Sequence, residues 1–490
     1  MEQLSGLDAA FVYFEAAGGA HVSSFAIYDP STAPGGTVSF DDVAAHIGSR
    51  LGADRAFRSA LARVPFDLDH PYWVRDKNFE LSRHLHHLTL PRPGDWRELC
   101  ELVSQLHARR MDLSRPPWEC YFIDGLGKIE GFPDDAFVVC FKMHHSAVDG
   151  ITGMGIVGAL HDPTPETRPA PADEWSPERR PSPLNLLVRA AVSYARRPPR
   201  LLSAARHGVP VLARLPAAMT RLRSTGQVEQ GLFGGVPHTR FNDRTDGRRN
   251  FDGRAYDLAA IRAARTQVPA ATVNDVVLAG IGGALRRYLL DKGELPESSL
   301  VTVIAMQEHV KGRRGANQLA VARASLGTNI ADPVSRLRAV HESSARSKAF
   351  IEAVGPRSFV EYAEFLPGSL LVPAIRLARA AHLGQYWDTS WVANTYVTTM
   401  RGSQSPIYLV GARMIASYGF TPFSQRNGLM HSAVSYCGRM LVSINGCPAV
   451  LPDIEHYGEC MDASFAELLP RADLGTGSRP KPAPAPAHHR

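Results

Sequence analysis

The 490-residue chain has 44% hydrophobic and 21% charged residues, the balance of an ordinary globular protein long enough for two domains with separate cores. Its formal net charge of +6 suits an anionic partner without naming one, and the lack of Cys/His finger spacing or an RNP-like aromatic motif argues against nucleic acid. No run of about 18 apolar residues predicts a membrane-spanning helix. Acidic Glu2, Asp8 and Glu15 sit where a signal peptide would need basic and apolar regions, and six widely spaced cysteines with no CxxC pair read as reduced thiols of a cytoplasmic protein.

In chain order, residues 1–161 alternate strand-like and helix-like stretches and are expected to form a first half. Residues 83–87, Arg-His-Leu-His-His, could place His84 and His86 on one strand face as two metal ligands. No Cys or carboxylate completes a set nearby, so an ordinary, partly exposed strand is expected and no metal site. Residues 96–110 put Leu99, Leu102, Val103 and Leu106 on one helical face. Residues 136–141, Ala-Phe-Val-Val-Cys-Phe, are β-branched and aromatic and apolar on both alternating faces, the pattern of a strand covered on both sides. Residues 151–160 read as a helix weakened by glycine.

Composition then shifts. Residues 162–241 read as a Pro/Arg-rich linker with amphipathic helices. Within it Leu184, Leu187, Ala191 and Tyr194 recur at helical spacing, with Arg189, Arg196, Arg197 and Arg200 interspersed. Basic amphipathic helices either lie in a bilayer interface or pack between domains, and both readings stay open. A second folded half is expected over 242–469. The Pro/Ala-rich tail, 470–490, is expected to be disordered, and its His488-His489 is no evidence for a metal site.

Between the covered strand and the glycine-weakened helix lies His144-His-Ser-Ala-Val-Asp-Gly150. Adjacent strand residues point to opposite faces, so only one of the two histidines faces a given cleft, which argues against a shared metal ion. Asp149 is placed to orient a ring or pair with a cation, and Gly150 supplies backbone freedom at the corner. No Ser or Cys nucleophile motif accompanies the pair. The arrangement suits a histidine that takes a proton from a hydroxyl; the bland alternative is two satisfied core histidines.

The HHxxxDG pattern resembles the chloramphenicol-acetyltransferase-like superfamily. The flanking sequence is similar to the bacterial wax ester synthase/diacylglycerol acyltransferase family: Leu4-Ser-Gly-Leu-Asp-Ala-Ala-Phe11, Trp73-Val-Arg-Asp76, Arg115-Pro-Pro-Trp-Glu119 for the "PLW" motif, Thr272-Val-Asn-Asp275 for the "ND" motif, Tyr408-Leu-Val-Gly-Ala412 and Ser435-Tyr-Cys-Gly438. The resemblance implies two chloramphenicol-acetyltransferase-like α/β domains joined by a helical linker, with an active-site tunnel between them. It implies O-acyl transfer from acyl-CoA, a co-substrate with no further cofactor, to diacylglycerol or a long-chain alcohol at a membrane or lipid-droplet surface. It maps the general base onto His145, with His144, Asp149 and Gly150 in support and Asn274 assisting the oxyanion. Three departures stand out: Pro117 replaces the Leu of "PLW", 304–310 replaces a Pro-Val-Ser-Val-Arg stretch, and 393–402 retains only Asn394 and Gly402 of the usual pattern. They put acceptor choice in question and leave open a non-catalytic lipid-binding homologue.

Overall fold

The computed structural model describes residues 1–14, 20–148, 150–170, 173, 175–195, 235–307, 319–354, 392–422 and 426–469. A small sheet, in the order β1-β4-β3, joins β1 (Glu2–Gln3), β3 (Ser59–Ala62) and β4 (Tyr72–Arg75). The first large sheet contains β2 (His21–Asp29), β5 (Leu85–Thr89), β6 (Trp118–Asp124) and β7 (Phe137–His144). It is completed from far along the chain by β12 (Tyr408–Leu409) and β13 (Ala412–Phe420), giving the order β12-β13-β2-β7-β6-β5. The second large sheet orders β8 (Asn250–Asp257), β9 (Val301–Gln307), β10 (Leu319–Ser325), β11 (Thr395–Arg401), β14 (Leu429–Tyr436) and β15 (Arg439–Gly446) as β10-β9-β11-β14-β15-β8.

Helices α1 (Gly6–Phe14), α2 (Phe40–Ser49), α3 (Trp96–Ala108), α4 (Gly150–Leu160) and α5 (Pro183–Ala195) belong to the first part of the chain. Helices α6 (Leu258–Ala264), α7 (Val273–Asp291), α8 (Pro333–Val354) and α9 (Ile454–Leu468) belong to the second. Capping boxes open α2 (Ser39, Asp42), α3 (Asp95, Glu98) and α7 (Thr272, Asp275), satisfying amide groups that a helix start leaves free. The covered-strand reading holds for β7, with one addition. Its Lys142 is fully buried and donates through Nζ to the carbonyls of Leu106 and Arg109, closing the C-terminal end of α3.

β13 ties the two large sheets together. It pairs antiparallel with β2, Tyr418 opposite Phe25 and Phe420 opposite Ser23, while Asn445 Nδ2 of β15 donates to its Gly419 carbonyl at 3.1 Å. Phe25, Phe251 and Tyr418 pack ring against ring at 5.1–6.0 Å, and Trp96 Nε1 donates to buried Asp252 at 3.0 Å.

The described residues of the expected linker over 162–183 are pinned to the first part of the chain by ion pairs. Asp162 accepts from Arg50 and Arg168 at 2.8 Å each, Asp173 from Arg58 at 2.5 Å, and Glu178 from Arg75 at 3.2 Å and from the Met1 ammonium at 2.7 Å. In α5 the inward face is Leu186 and Ala190, which are buried, whereas Leu184 is 70% exposed. The sequence periodicity misplaced this face because apolar residues occupy both sides of the helix. Arg196, Arg197 and Arg200 lie outside the described residues.

Candidate active site

The strand-to-helix corner after β7 gathers three distant stretches of sequence. The His144 amide donates to the Pro117 carbonyl at 3.0 Å, and the His145 amide donates to the Ala20 carbonyl at 2.7 Å. Position 117 thus serves through its carbonyl alone, and a proline, which lacks only the N–H, fits there. Next to it, Trp118 opposes Met143 in the β6–β7 ladder, stacks on Phe141 at 5.4 Å and donates from Nε1 to the Phe57 carbonyl at 2.8 Å. These contacts bring the Arg115-Pro-Pro-Trp-Glu119 motif beside the histidines.

The two histidines have different surroundings. His144 is fully buried, and its Nδ1 accepts from the Ser146 amide at 3.2 Å while lying 2.7 Å from the Ser146 hydroxyl. Because an amide can only donate, Nδ1 carries no proton in this arrangement and the neutral ring holds its proton on Nε2. His145 follows the strand, is only partly buried, and its ring lies flat on Phe11 with centroids 4.2 Å apart and planes 10° from parallel. Phe11 is delivered by α1, whose first turn is fixed by Ser5 and buried Asp8: the Asp8 amide donates to Ser5 Oγ at 3.1 Å and Ser5 Oγ donates back to Asp8 Oδ2 at 2.7 Å. Gly150 opens α4; Asp149 lies outside the described residues.

Behind the corner is a second pair of histidines that sequence reading missed. His21 stands opposite His144 in the β2–β7 register. Its Nε2 is hydrogen-bonded to the His107 carbonyl, and the two rings meet edge to face at 4.8 Å. His107 Nδ1 is 2.8 Å from Ser23 Oγ, and its ring stacks on Phe420 of β13 at 4.7 Å. Burial first, then the nearby His21, Arg249 and Lys142, push the His107 pKa well below the usual imidazole range, so it is neutral near pH 7. Nothing in local sequence couples positions 21 and 107; the packing of α3 on β2 does. The 83–87 stretch is partly as expected. β5 begins at Leu85, and His84 precedes it, buried, with Nδ1 on the Trp118 carbonyl at 2.8 Å, while His87 pairs with Asp124 at 2.6 Å.

Asn274 occupies the first turn of α7, partly buried, and among the described residues it makes no hydrogen bond to the corner. Its neighbour Asp275 anchors the turn: Oδ2 accepts from Thr272 N and Oγ1, both at 2.9 Å, and lies 2.9 Å from His341 Nδ1 of α8. Thus Asp275 builds the turn that presents Asn274.

The two departing stretches are neighbours. β9 and β11 run parallel, pairing Thr395 with Thr302 and Val397 with Ile304. Asn394 joins their starts: Oδ1 accepts from the Val301 amide at 2.9 Å, and Nδ2 donates to the Pro237 carbonyl at 2.6 Å and to Asn242 Oδ1 at 2.8 Å. A side chain at Gly402 would collide with the Ser435 carbonyl. Both residues retained from the usual pattern therefore have structural work to do, independent of chemistry.

Comparison with known proteins agrees with this architecture. Residues 4–277 match the model of the wax ester synthase/diacylglycerol acyltransferase catalytic domain, and residues 315–469 that of the WS/DGAT C-terminal domain. A Mycobacterium tuberculosis (strain CDC 1551) protein bearing the name diacylglycerol O-acyltransferase is 32% identical over 478 residues, 96% of this chain and 91% of its own length. A Mycobacterium bovis protein of the same kind is 30% identical over 483 residues, 96% and 99% of the two chains. In fold, the wax ester synthase/diacylglycerol acyltransferase from Marinobacter aquaeolei VT8 superposes with a TM-score of 0.64 at 24% identity, over 95% of this chain and 98% of that one. A trichothecene 15-O-acetyltransferase from Fusarium sporotrichioides does so at 0.54 and 13% identity, over 96% and 95%. The chain therefore belongs to the wax ester synthase/diacylglycerol acyltransferase family, an acyl-CoA-dependent O-acyltransferase of paired chloramphenicol-acetyltransferase-like α/β architecture.

Proposed function

We propose that the chain transfers a long-chain acyl group from acyl-CoA to the hydroxyl of diacylglycerol, of a long-chain alcohol, or of both, with His145 as the general base. The observation that carries the assignment is the difference between the two histidines: His144 is fully buried and holds the corner, whereas His145 is partly exposed, its backbone amide bonded to the Ala20 carbonyl and its ring stacked on Phe11. A neutral imidazole there takes the acceptor's hydroxyl proton as its oxygen attacks the thioester carbonyl. The tetrahedral intermediate collapses by breaking the carbon–sulfur bond, and the imidazolium returns the proton to the departing CoA thiolate. No acyl-enzyme is required. Donors that meet the developing oxyanion matter most to the barrier; Asn274, at a capped helix start, is the candidate in support. Asp149 is assigned to holding the loop.

The test is to incubate the purified protein with labelled palmitoyl-CoA, diacylglycerol and a long-chain alcohol and to resolve the products. Triacylglycerol or wax ester formed by the parent and lost in His145→Ala supports the assignment. No acyl transfer by a folded parent favours a lipid-binding homologue, the reading that the altered β9 and β11 stretches leave room for.

These substrates are held in lipid, so we also propose peripheral contact with an anionic bilayer or droplet surface. Seven large apolar side chains are exposed among the described residues, and five of them are Phe66 (84%), Leu68, Leu184, Val188 and Val192. Phe66 and Leu68 adjoin α5, whose Tyr194 hydroxyl donates to the Leu68 carbonyl at 2.7 Å. Leu184, Val188 and Val192 follow one stripe of α5 at four-residue spacing, and exposed Arg179, Arg180 and Arg189 supply positive charge on the same segment. Contiguous exposed apolar surface of this kind marks an interaction site. No helix among the described residues is long and apolar enough to cross a membrane. Sedimentation with anionic liposomes is expected to fall when Leu184, Val188 and Val192 are all changed to Ser, with turnover on short-chain alcohols kept. Undiminished sedimentation of that variant would remove this surface from consideration.

A further inference from the structure

Helices α7 and α9 pack antiparallel, so the last turn of α7 meets the first turns of α9: a side chain at Gly280 would meet the Phe465 ring, and further along Tyr288 packs on Tyr457. At that meeting point, at the opposite end of α7 from Asn274, the Oδ2 of Asp291, the Nε2 of His456 and the Sγ of Cys460 converge. The Asp291–His456 separation is 3.2 Å, Cys460–Asp291 is 3.9 Å and Cys460–His456 is 3.8 Å.

We propose that Asp291, His456 and Cys460 form a three-donor site for a thiophilic divalent cation of the zinc class, with the fourth position open to solvent. Three observations carry it. First, a tetrahedral zinc ion with bonds of about 2.0–2.3 Å sets ligand-to-ligand distances of roughly 3.3–3.6 Å, and the three observed separations lie within a few tenths of an ångström of that triangle. Second, His456 and Cys460 are spaced i, i+4 on α9, so one helical face supplies two donors without rearrangement. Third, Glu459 stands 3.5 Å from the other ring nitrogen, Nδ1, of His456. A carboxylate there can accept from Nδ1–H once Nε2 exchanges its hydrogen bond to Asp291 for the metal.

The neighbouring cations do not compete for the donors. Arg287 is paired with Glu467, and Lys292 with Asp453 at 2.5 Å. The donor set of one nitrogen, one sulfur and one oxygen suits zinc or cobalt(II) far better than magnesium or calcium, which favour oxygen alone. A bound ion would staple the end of α7 to the start of α9 and stabilise the folded chain by mass action.

The experiment uses the full chain, stripped with a chelator and dialysed, then titrated separately with Zn2+ and Co2+. The expected result is one equivalent of zinc, a raised melting temperature on loading, and a cobalt adduct with a thiolate-to-metal charge-transfer band. Cys460→Ser should abolish that band. Cys460→Ser and Asp291→Asn should each weaken zinc binding by at least about tenfold, the lower end of what even an outer-shell substitution does to a metal site. Should Cys460→Ser prove unfolded by circular dichroism, Asp291→Asn, at an exposed position, decides alone. The proposal is overturned if the parent shows no stoichiometric binding, if the band persists in folded Cys460→Ser, if folded variants bind as tightly as the parent, or if binding vanishes when only the tail residues His488 and His489 are replaced.

Discussion

His145 sits on an aromatic platform, and that platform supplies a test of the base beyond its own deletion. His145→Ala is expected to lower kcat by about 10²–10⁴-fold, the usual worth of a general base, with His144→Ala lowering it less and lowering stability more. Phe11→Leu removes a stacked ring pair of the kind worth about 0.5–1.5 kcal/mol. If that energy orients the imidazole, kcat falls by up to about tenfold while KM is little changed, and Phe11→Tyr restores most of it. Loss of melting temperature with unaltered kcat in Phe11→Leu would assign the ring to packing alone. The histidines and Gly150 were legible because they are contiguous and their spacing carries chemistry. Phe11, Pro117, His21 and His107 entered the sequence reading only as motif letters or not at all, since what makes them matter is tertiary contact: Phe11 from α1 on His145, the Pro117 carbonyl on the His144 amide, and His107 from α3 on His21, itself opposite His144.

Helix α7 shows what an element contributes as a unit. Its interior is buried on every side from Val276 to Leu285, which only a helix wedged between a sheet and other helices experiences. Its glycines make that possible: a side chain at Gly282 would collide with the Leu326 carbonyl. Gly282→Ala is therefore expected to destabilise by about 1–3 kcal/mol, as overpacking does, read as a lower urea midpoint. At the start of the same helix, Thr272→Ala removes the N-cap and should destabilise by about 0.5–2 kcal/mol. Because Asn274 is two residues on, turnover should fall as well, and a Thr272→Ser variant should recover both. The capping signal Thr-x-x-Asp was readable in the sequence. The exposure of α5 was not, because its buried face is set by packing of Leu186 and Ala190 on Ala62, Val64, Tyr72 and Val74 in and beside the small sheet, more than a hundred residues upstream.

Across the whole molecule, buried histidines make stability depend on acid. Burial pushes His161 down to about 4 and His431 down to about 3 from 6.5, and His107 well below it. Below pH 6.5 the unfolded chain binds these three protons and the folded chain does not, so stability is full above that pH and is lost as pH falls toward about 4. Three such groups give a slope of roughly 4 kcal/mol per pH unit near pH 5. Asp252 and Asp462, whose pKa values burial raises, act in the opposite sense at the acid end of the range. Urea midpoints measured at pH 7.5, 6 and 5 should drop steeply; a flat series would mean that these imidazoles are charged in the native state. The fold class was legible at this scale because motif order spans the chain. The exchange of β13 into the first sheet was not, since its partner strand β2 lies almost four hundred residues upstream by the pairing of Tyr418 with Phe25. That pairing has a consequence for biosynthesis. When the ribosome has finished β7, the flank of β2 that β13 will occupy is still bare, and roughly 280 more residues must emerge before Phe420 can cover it. At about 5–20 residues per second the nascent chain spends on the order of tens of seconds with an open β-edge, which makes it a substrate for chaperones. A fragment ending at residue 161 should accordingly aggregate, or recruit the missing strand from a co-expressed second half.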